Sequence, residues 1–177
     1  MKILLDSHML CQNETGIERY WSNLIHHLAK LNENLRLHLF CNLPPNRLER
    51  YRNYPVFTPF TQNGFYRLFF GFNQAIRKFK PDVLHVSTFA PVRKIVPTVV
   101  TIHDLCIKTY PETFTPKSHL VFNFFLRRSI HQADAIICVS NTVKKDIIKF
   151  YPIDPNKIHV IYEGADPIFK FIPDKRK

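Results

Sequence analysis

Glycine is scarce in this sequence. The 177 residues hold four, and no G-x-G-x-x-G occurs, which excludes a dinucleotide-binding fingerprint. The four cysteines (Cys11, Cys41, Cys106 and Cys138) stand far apart and form no C-x-x-C pair. They read as free core thiols of a reducing compartment, not as a disulfide framework. The histidines show no H-x-H or H-x-x-x-H spacing, so no metal site is expected. No apolar run approaches the ~20 residues of a membrane span. The opening Met1–Asp6 segment reaches an acidic residue after three apolar ones, so no signal-peptide core fits. The expectation is a cytoplasmic protein, with a peripheral place on a membrane left open.

Negative charge is also short: 14 Asp and Glu face 25 Lys and Arg, a formal net charge of +11. Such a field favours anionic partners, whether nucleotide phosphates, nucleic acid or an acidic membrane surface. The basic residues are spread along most of the chain and no nucleic-acid motif occurs, which argues against a basic module that binds nucleic acid. What is abundant is aromatic side chain, at 14% with sixteen Phe. Hydrophobic residues at 45% and charged residues at 22% are ordinary for a globular chain, and the length suits one α/β domain with its own core.

Apolar runs of strand length alternate with segments of helical period, the pattern of an α/β fold with a Rossmann-like parallel β-sheet and helices on both faces. Strands are predicted at Lys2–Asp6, Leu35–Cys41, Val56–Phe57, Asp82–Val86, Thr98–Ile102, Ala135–Val139 and Lys157–Tyr162. A helix is predicted to start near Thr15, where Thr15-Gly16-Ile17-Glu18 fits a capping box and Ile17, Tyr20, Trp21, Leu24, Leu28 and Leu31 repeat at helical spacing. Further helices are predicted over Phe65–Phe79, from Thr115 to about Gln132, and over Asn141–Phe150.

In an open parallel sheet, ligands collect beyond the carboxyl ends of the strands. There the first strand leads to Gly16, in the first turn of a helix, where unpaired N–H groups favour an anion. Close approach of a phosphate or sugar and a plain capping turn both fit. His103-Asp104 follows the Thr98–Ile102 strand. The His can serve a substrate oxygen, and the Asp can orient loop N–H groups or fix the ring tautomer; a structural pair capping the strand end fits as well. Ser140 is a helix cap first and a ligand contact second. Gly164, after the last strand, permits a sharp turn, which a simple chain reversal also explains. His26-His27 is expected on a solvated shoulder.

Five runs carry a resemblance: Thr15-Gly16-Ile17-Glu18-Arg19-Tyr20; Lys80-Pro81-Asp82-Val83-Leu84-His85; Thr101-Ile102-His103-Asp104-Leu105 with Tyr110-Pro111-Glu112; Ala133-Asp134-Ala135-Ile136-Ile137-Cys138-Val139-Ser140; and Lys157 through Asp166. In this order and spacing the chain resembles the N-terminal domain of the GT-B glycosyltransferases of family 4, particularly mannosyltransferase-like members. The resemblance implies retaining, metal-independent transfer of a sugar, such as mannose, from a nucleotide-sugar donor to a hydroxyl acceptor, with no cofactor. It implies a carbohydrate or lipid-linked acceptor and a cleft between two Rossmann-like domains. Gly16, with Ile17, would lie near the donor diphosphate and His103 would face the transferred sugar. Asp104 would support that loop. Arg19 would contact an anion, although a surface salt bridge suits it equally, and Ser140 and Gly164 would be further donor or acceptor contacts.

Residues 1–166 are expected to form this domain and 167–177 a hinge or tail. The family's C-terminal domain, with its basic pair and its E-x7-E, has no counterpart here. No two Glu residues are eight apart, and the Asp146/Asp154 and Asp166/Asp174 spacings are read as chance. The expectation is one half of an enzyme, inactive without a C-terminal domain or companion subunit. An epimerase or phosphorylase of the same architecture remains an alternative. Finally, Phe65–Phe72 and Leu120–Arg128 mix Phe with Arg in a manner suited to an interfacial helix, or else supply core for the sheet.

Overall fold

The computed structural model describes residues 1–11, 16–41, 49–165 and 169. Seven strands, β1 (Lys2–Asp6), β2 (Arg36–Phe40), β3 (Val56–Phe57), β4 (Val83–Ser87), β5 (Thr98–Ile102), β6 (Ala135–Cys138) and β7 (Ile158–Val160), form one sheet in the order β3-β2-β1-β4-β5-β6-β7. Every pairing is parallel. Because the order runs outward in both directions from β1 and β4, the loops leaving these two strands diverge and open a crevice at their carboxyl ends.

The apolar run of β1 is continuous because both of its faces are covered. Leu4 joins the core on one face and Leu5 the core on the other. On the Leu5 face lies α1 (Gly16–Leu31), which buries Trp21 and Ile25 against Leu5, Leu37, Leu39 and Tyr51. The Leu4 face carries α3 (Phe72–Phe79), α5 (Pro116–Gln132) and α6 (Asn141–Phe150), whose Phe72, Ile76, Leu126, Ile130 and Ile147 pack on Leu84, Val86, Val100 and Ile136. The predicted Ser140 cap is present, its Oγ accepting from Val143 N–H at 3.2 Å, and the Thr115 side chain caps its helix as well, accepting from the Ser118 N–H at 3.2 Å. The expected Thr15 cap and the 167–177 hinge lie outside the described residues, apart from the single position 169.

The helix predicted over Phe65–Phe79 is present but not uniform. It starts as α2 (Gly64–Tyr66), passes through a π-helical stretch (Arg67–Gly71) and continues as α3. Gly71 has a definite reason to be glycine here: a Cβ on it would meet the Phe40 ring at 3.1 Å. A short α4 (Cys106–Thr109) follows β5 and was not expected. It leaves Cys106 exposed, which corrects the reading of that thiol as core; Cys41 and Cys138 are buried thiols outside any disulfide. The last strand is shorter than predicted: it starts at Ile158 because Pro155–Lys157 forms a 3₁₀ turn before it, and it ends at Val160.

Candidate active site

Polar side chains gather where the strands end. Asp6 closes β1 and is fully buried, with Oδ1 2.8 Å from His8 Nδ1 and Oδ2 accepting from Arg67 Nη1 at 2.8 Å. Burial pushes the Asp6 carboxyl up, but the His8 imidazole and the Arg67 guanidinium outweigh it and hold it below the ordinary carboxylate value. The pair fastens the π-helical stretch to the tip of β1. Beside it, β4 ends in a turn at Thr88, whose φ of 65° is strained for a β-branched residue. Its N–H donates to the Thr101 carbonyl at 3.0 Å.

Beneath these tips runs a buried polar row. His85 Nε2 of β4 lies 2.8 Å from Thr101 Oγ1 of β5, and the same Oγ1 lies 3.0 Å from the Tyr20 hydroxyl of α1. Trp21 stands edge-on to His85 at 5.1 Å. Burial pushes His85 down to about 4, with Asp6 opposing and His103 adding to that shift, so the ring is neutral near pH 7. Burial likewise raises the Tyr20 hydroxyl, against the lowering influence of Thr101.

His103 lies just past β5, with 17% of its side chain exposed. Its Nδ1 stands 3.2 Å from Glu163 Oε1, which follows β7. A carboxylate accepts and does not donate, so this contact places a ring proton on Nδ1. Nε2 is buried and has no partner among the described residues. Asp104 serves the loop instead: its Oδ1 accepts from the Cys106 N–H at 2.9 Å. Of the two tasks open to that Asp in the sequence, orienting loop N–H groups is the one it performs, while Glu163 holds the ring.

The other expected site residues divide by position. Gly16 is the first residue of α1, exposed, and a Cβ there would meet nothing within 4 Å. It stands one turn before Tyr20, so the amino end of α1 and His103 lie at the same end of the sheet. Ile17 packs its side chain into the core beneath α1. Arg19 is exposed on α1. Ser140 spends its hydroxyl on the α6 cap, and Gly164 is exposed without a positive φ, so the turn after β7 makes no use of glycine's freedom. His26 and His27 are exposed, as expected. Sequence reasoning passed over Tyr20, His85, Thr101 and Glu163 as site residues. The one available signal was polarity at alternate positions, His85 and Ser87, in an otherwise apolar strand, with Thr101 paired beside Ser87.

A parallel sheet with its polar residues collected at the carboxyl ends is a Rossmann-like α/β domain. The chain belongs to Glycosyltransferase Family 4, whose model matches residues 15–169. Over 100 residues, 56% of this chain, it is 33% identical to the O-antigen chain mannosyltransferase RfbU of Salmonella typhimurium. Among solved structures it is similar to the lipopolysaccharide outer core galactosyltransferase WaaB, with a TM-score of 0.61 and 15% identity over its whole length. It is also similar to the sucrose-phosphate synthase of Thermosynechococcus elongatus, with a TM-score of 0.68 and 14% identity over 93% of the chain. At those identities the likeness is one of fold. The matched part is 28% of the mannosyltransferase and about half of each solved structure, at 50% and 48%.

Proposed function

We propose that this chain is the acceptor-side half of a retaining glycosyltransferase that moves a hexose such as mannose from a nucleotide sugar to a hydroxyl acceptor. In that reaction the bond from the anomeric carbon to the diphosphate oxygen breaks and its electron pair leaves with the nucleoside diphosphate, a bond to the acceptor oxygen forms, and the acceptor hydroxyl's proton passes to the departing diphosphate. The observation that supports this most is the His103 ring, oriented by Glu163 on one nitrogen and unpartnered on the other, at the same end of the sheet as the first amides of α1. His103 would face the transferred sugar and fix its orientation. The backbone at Gly16 and Ile17 would receive the diphosphate, as helix amino ends do, with Arg19 adding positive charge. Asp104 holds the loop, while Ser140 and Gly164 stand at the tips of β6 and β7 where an acceptor would enter.

The O-antigen chain mannosyltransferase relative supports a carbohydrate acceptor. The cleft would be completed by a donor-binding domain or companion subunit, and neither a metal nor a cofactor is needed to write the reaction. The test joins this chain to its donor-binding half and supplies a panel of nucleotide sugars with and without acceptor. Sugar transfer is expected, with His103→Ala lowering turnover by about a hundred-fold or more while the fold persists. The 177-residue chain alone is expected to be inactive. Robust turnover by it, an unimpaired His103→Ala enzyme, or epimerisation of the nucleotide sugar without acceptor would each overturn the proposal.

A further inference from the structure

Two elements on the Leu4 face of the sheet turn aromatic rings outward instead of inward. Phe65, Phe69 and Phe70 of α2 and the π-helical stretch are exposed, as are Leu120 and Phe124 of α5, at up to 71%. These sets form one surface. The buried ring of Phe125 is 5.7 Å from Phe65, 6.3 Å from Phe69 and 5.3 Å from Phe124, measured between centroids. The 88–97 connection stitches the two elements together: Val92 N–H donates to the Leu68 carbonyl at 2.9 Å, and the Arg128 guanidinium donates to the Val92 carbonyl.

The core does not need the outward rings, because Leu68, Phe72, Phe125 and Leu126 already fill it. The π-helical stretch contributes directly. Its wider turn lets the consecutive Phe69 and Phe70 both face water while Leu68, Gly71 and Phe72 stay buried. Contiguous apolar exposure of this kind marks an interaction surface.

Charge selects the partner. No Asp or Glu occurs from Arg50 to Pro81 or from Thr113 to Ala133, so both ring-bearing elements are free of acid. Lys117, Arg127 and Arg128 are exposed on α5 beside Leu120 and Phe124. A second copy of the chain would set this cationic rim against itself. Anionic lipid headgroups above an acyl region match both features, the basic rim and the apolar centre. Among the described residues no helix is long and apolar enough to cross a membrane, so contact would be at the surface.

We propose that Phe65, Phe69, Phe70, Leu120 and Phe124 form an interfacial face that enters the headgroup and acyl boundary of an anionic bilayer. This stands independently of the sugar-transfer reading. The test is co-sedimentation of the 177-residue chain with vesicles of phosphatidylcholine alone and of phosphatidylcholine mixed with phosphatidylglycerol. Binding is expected to the anionic vesicles and to weaken with salt. Phe70→Ser with Phe124→Ser is expected to lower the bound fraction about ten-fold or more. Lys117→Gln with Arg127→Gln is expected to weaken binding to the anionic vesicles and to reduce its salt dependence. Circular dichroism and melting temperature check folding, and Leu120→Ser replaces the double variant if that one melts early. Absence of vesicle binding, binding indifferent to the ring substitutions, or self-association that those substitutions abolish without any vesicle binding would each overturn the proposal.

Discussion

The ring of His103 stands edge-on to that of Tyr20, with centroids 4.8 Å apart and planes at 88°. Tyr20 thereby does two things: its ring walls the imidazole, and its hydroxyl reaches Thr101 at 3.0 Å. The two roles separate by substitution. Tyr20→Phe keeps the wall and loses one hydrogen bond, at a cost of about 1 kcal/mol. Tyr20→Ala removes both and opens a gap beside His103, at a cost of about 2–3 kcal/mol. In the complete enzyme, turnover should survive the Phe substitution and fall sharply with Ala. Melting curves and kcat on the same preparations check this, and equal kinetic loss in both variants would count against the ring contact as the positioning element.

His85 makes stability depend on pH in a defined window. Its folded value is pushed down to about 4 by burial, whereas an unfolded histidine titrates near 6.5. Between these values the unfolded chain binds the proton more readily, so stability is fully present above pH 6.5 and is lost as pH falls towards 4. The loss expected from this one ring is about 3 kcal/mol. Asp6, held below its ordinary value of 3.8, adds its own loss only at lower pH. His85→Gln retains a polar partner for Thr101 and should flatten the slope between pH 6.5 and 4. Thermal melts across that range decide it: an unchanged slope in the variant would assign the acid sensitivity to other groups.

How far the sequence leads is visible in particular residues. The strand β1 was legible because both of its faces are covered and Ile3 to Leu5 therefore read as an unbroken apolar run. Topology then carried Gly16 and His103 to one end of the sheet. The contacts that fix the site were not legible. His103 and Glu163 are 60 residues apart and Asp6 and Arg67 are 61 apart, and such pairs leave no local pattern. The π-helical stretch was hidden because Phe65, Leu68, Phe69, Phe72 and Ile76 read as a regular helical stripe. Those phenylalanines posed a choice between core and surface, and the structure divides them: Phe72 and Phe125 face inward, while Phe65, Phe69, Phe70 and Phe124 face outward.

Two glycines give opposite expectations for the same substitution. At Gly71 an added methyl would meet the buried Phe40 ring at 3.1 Å, and that ring is stacked between Phe57 and Phe72, at 5.7 and 4.6 Å, with little room to give. Overpacking of this kind costs about 1–3 kcal/mol, and the better helix propensity of alanine returns only about 1 of it. Gly71→Ala should therefore lower the melting temperature. At Gly16 the methyl would meet nothing within 4 Å and the φ is not positive, so Gly16→Ala should leave stability unchanged or slightly raised. If a diphosphate sits against the first amides of α1, the same methyl stands in its path. The complete enzyme carrying Gly16→Ala should then show a raised KM for the nucleotide sugar with an unaltered melting temperature. Loss of stability at Gly16 would show that its glycine serves the fold, and unchanged kinetics would show that no anion approaches there.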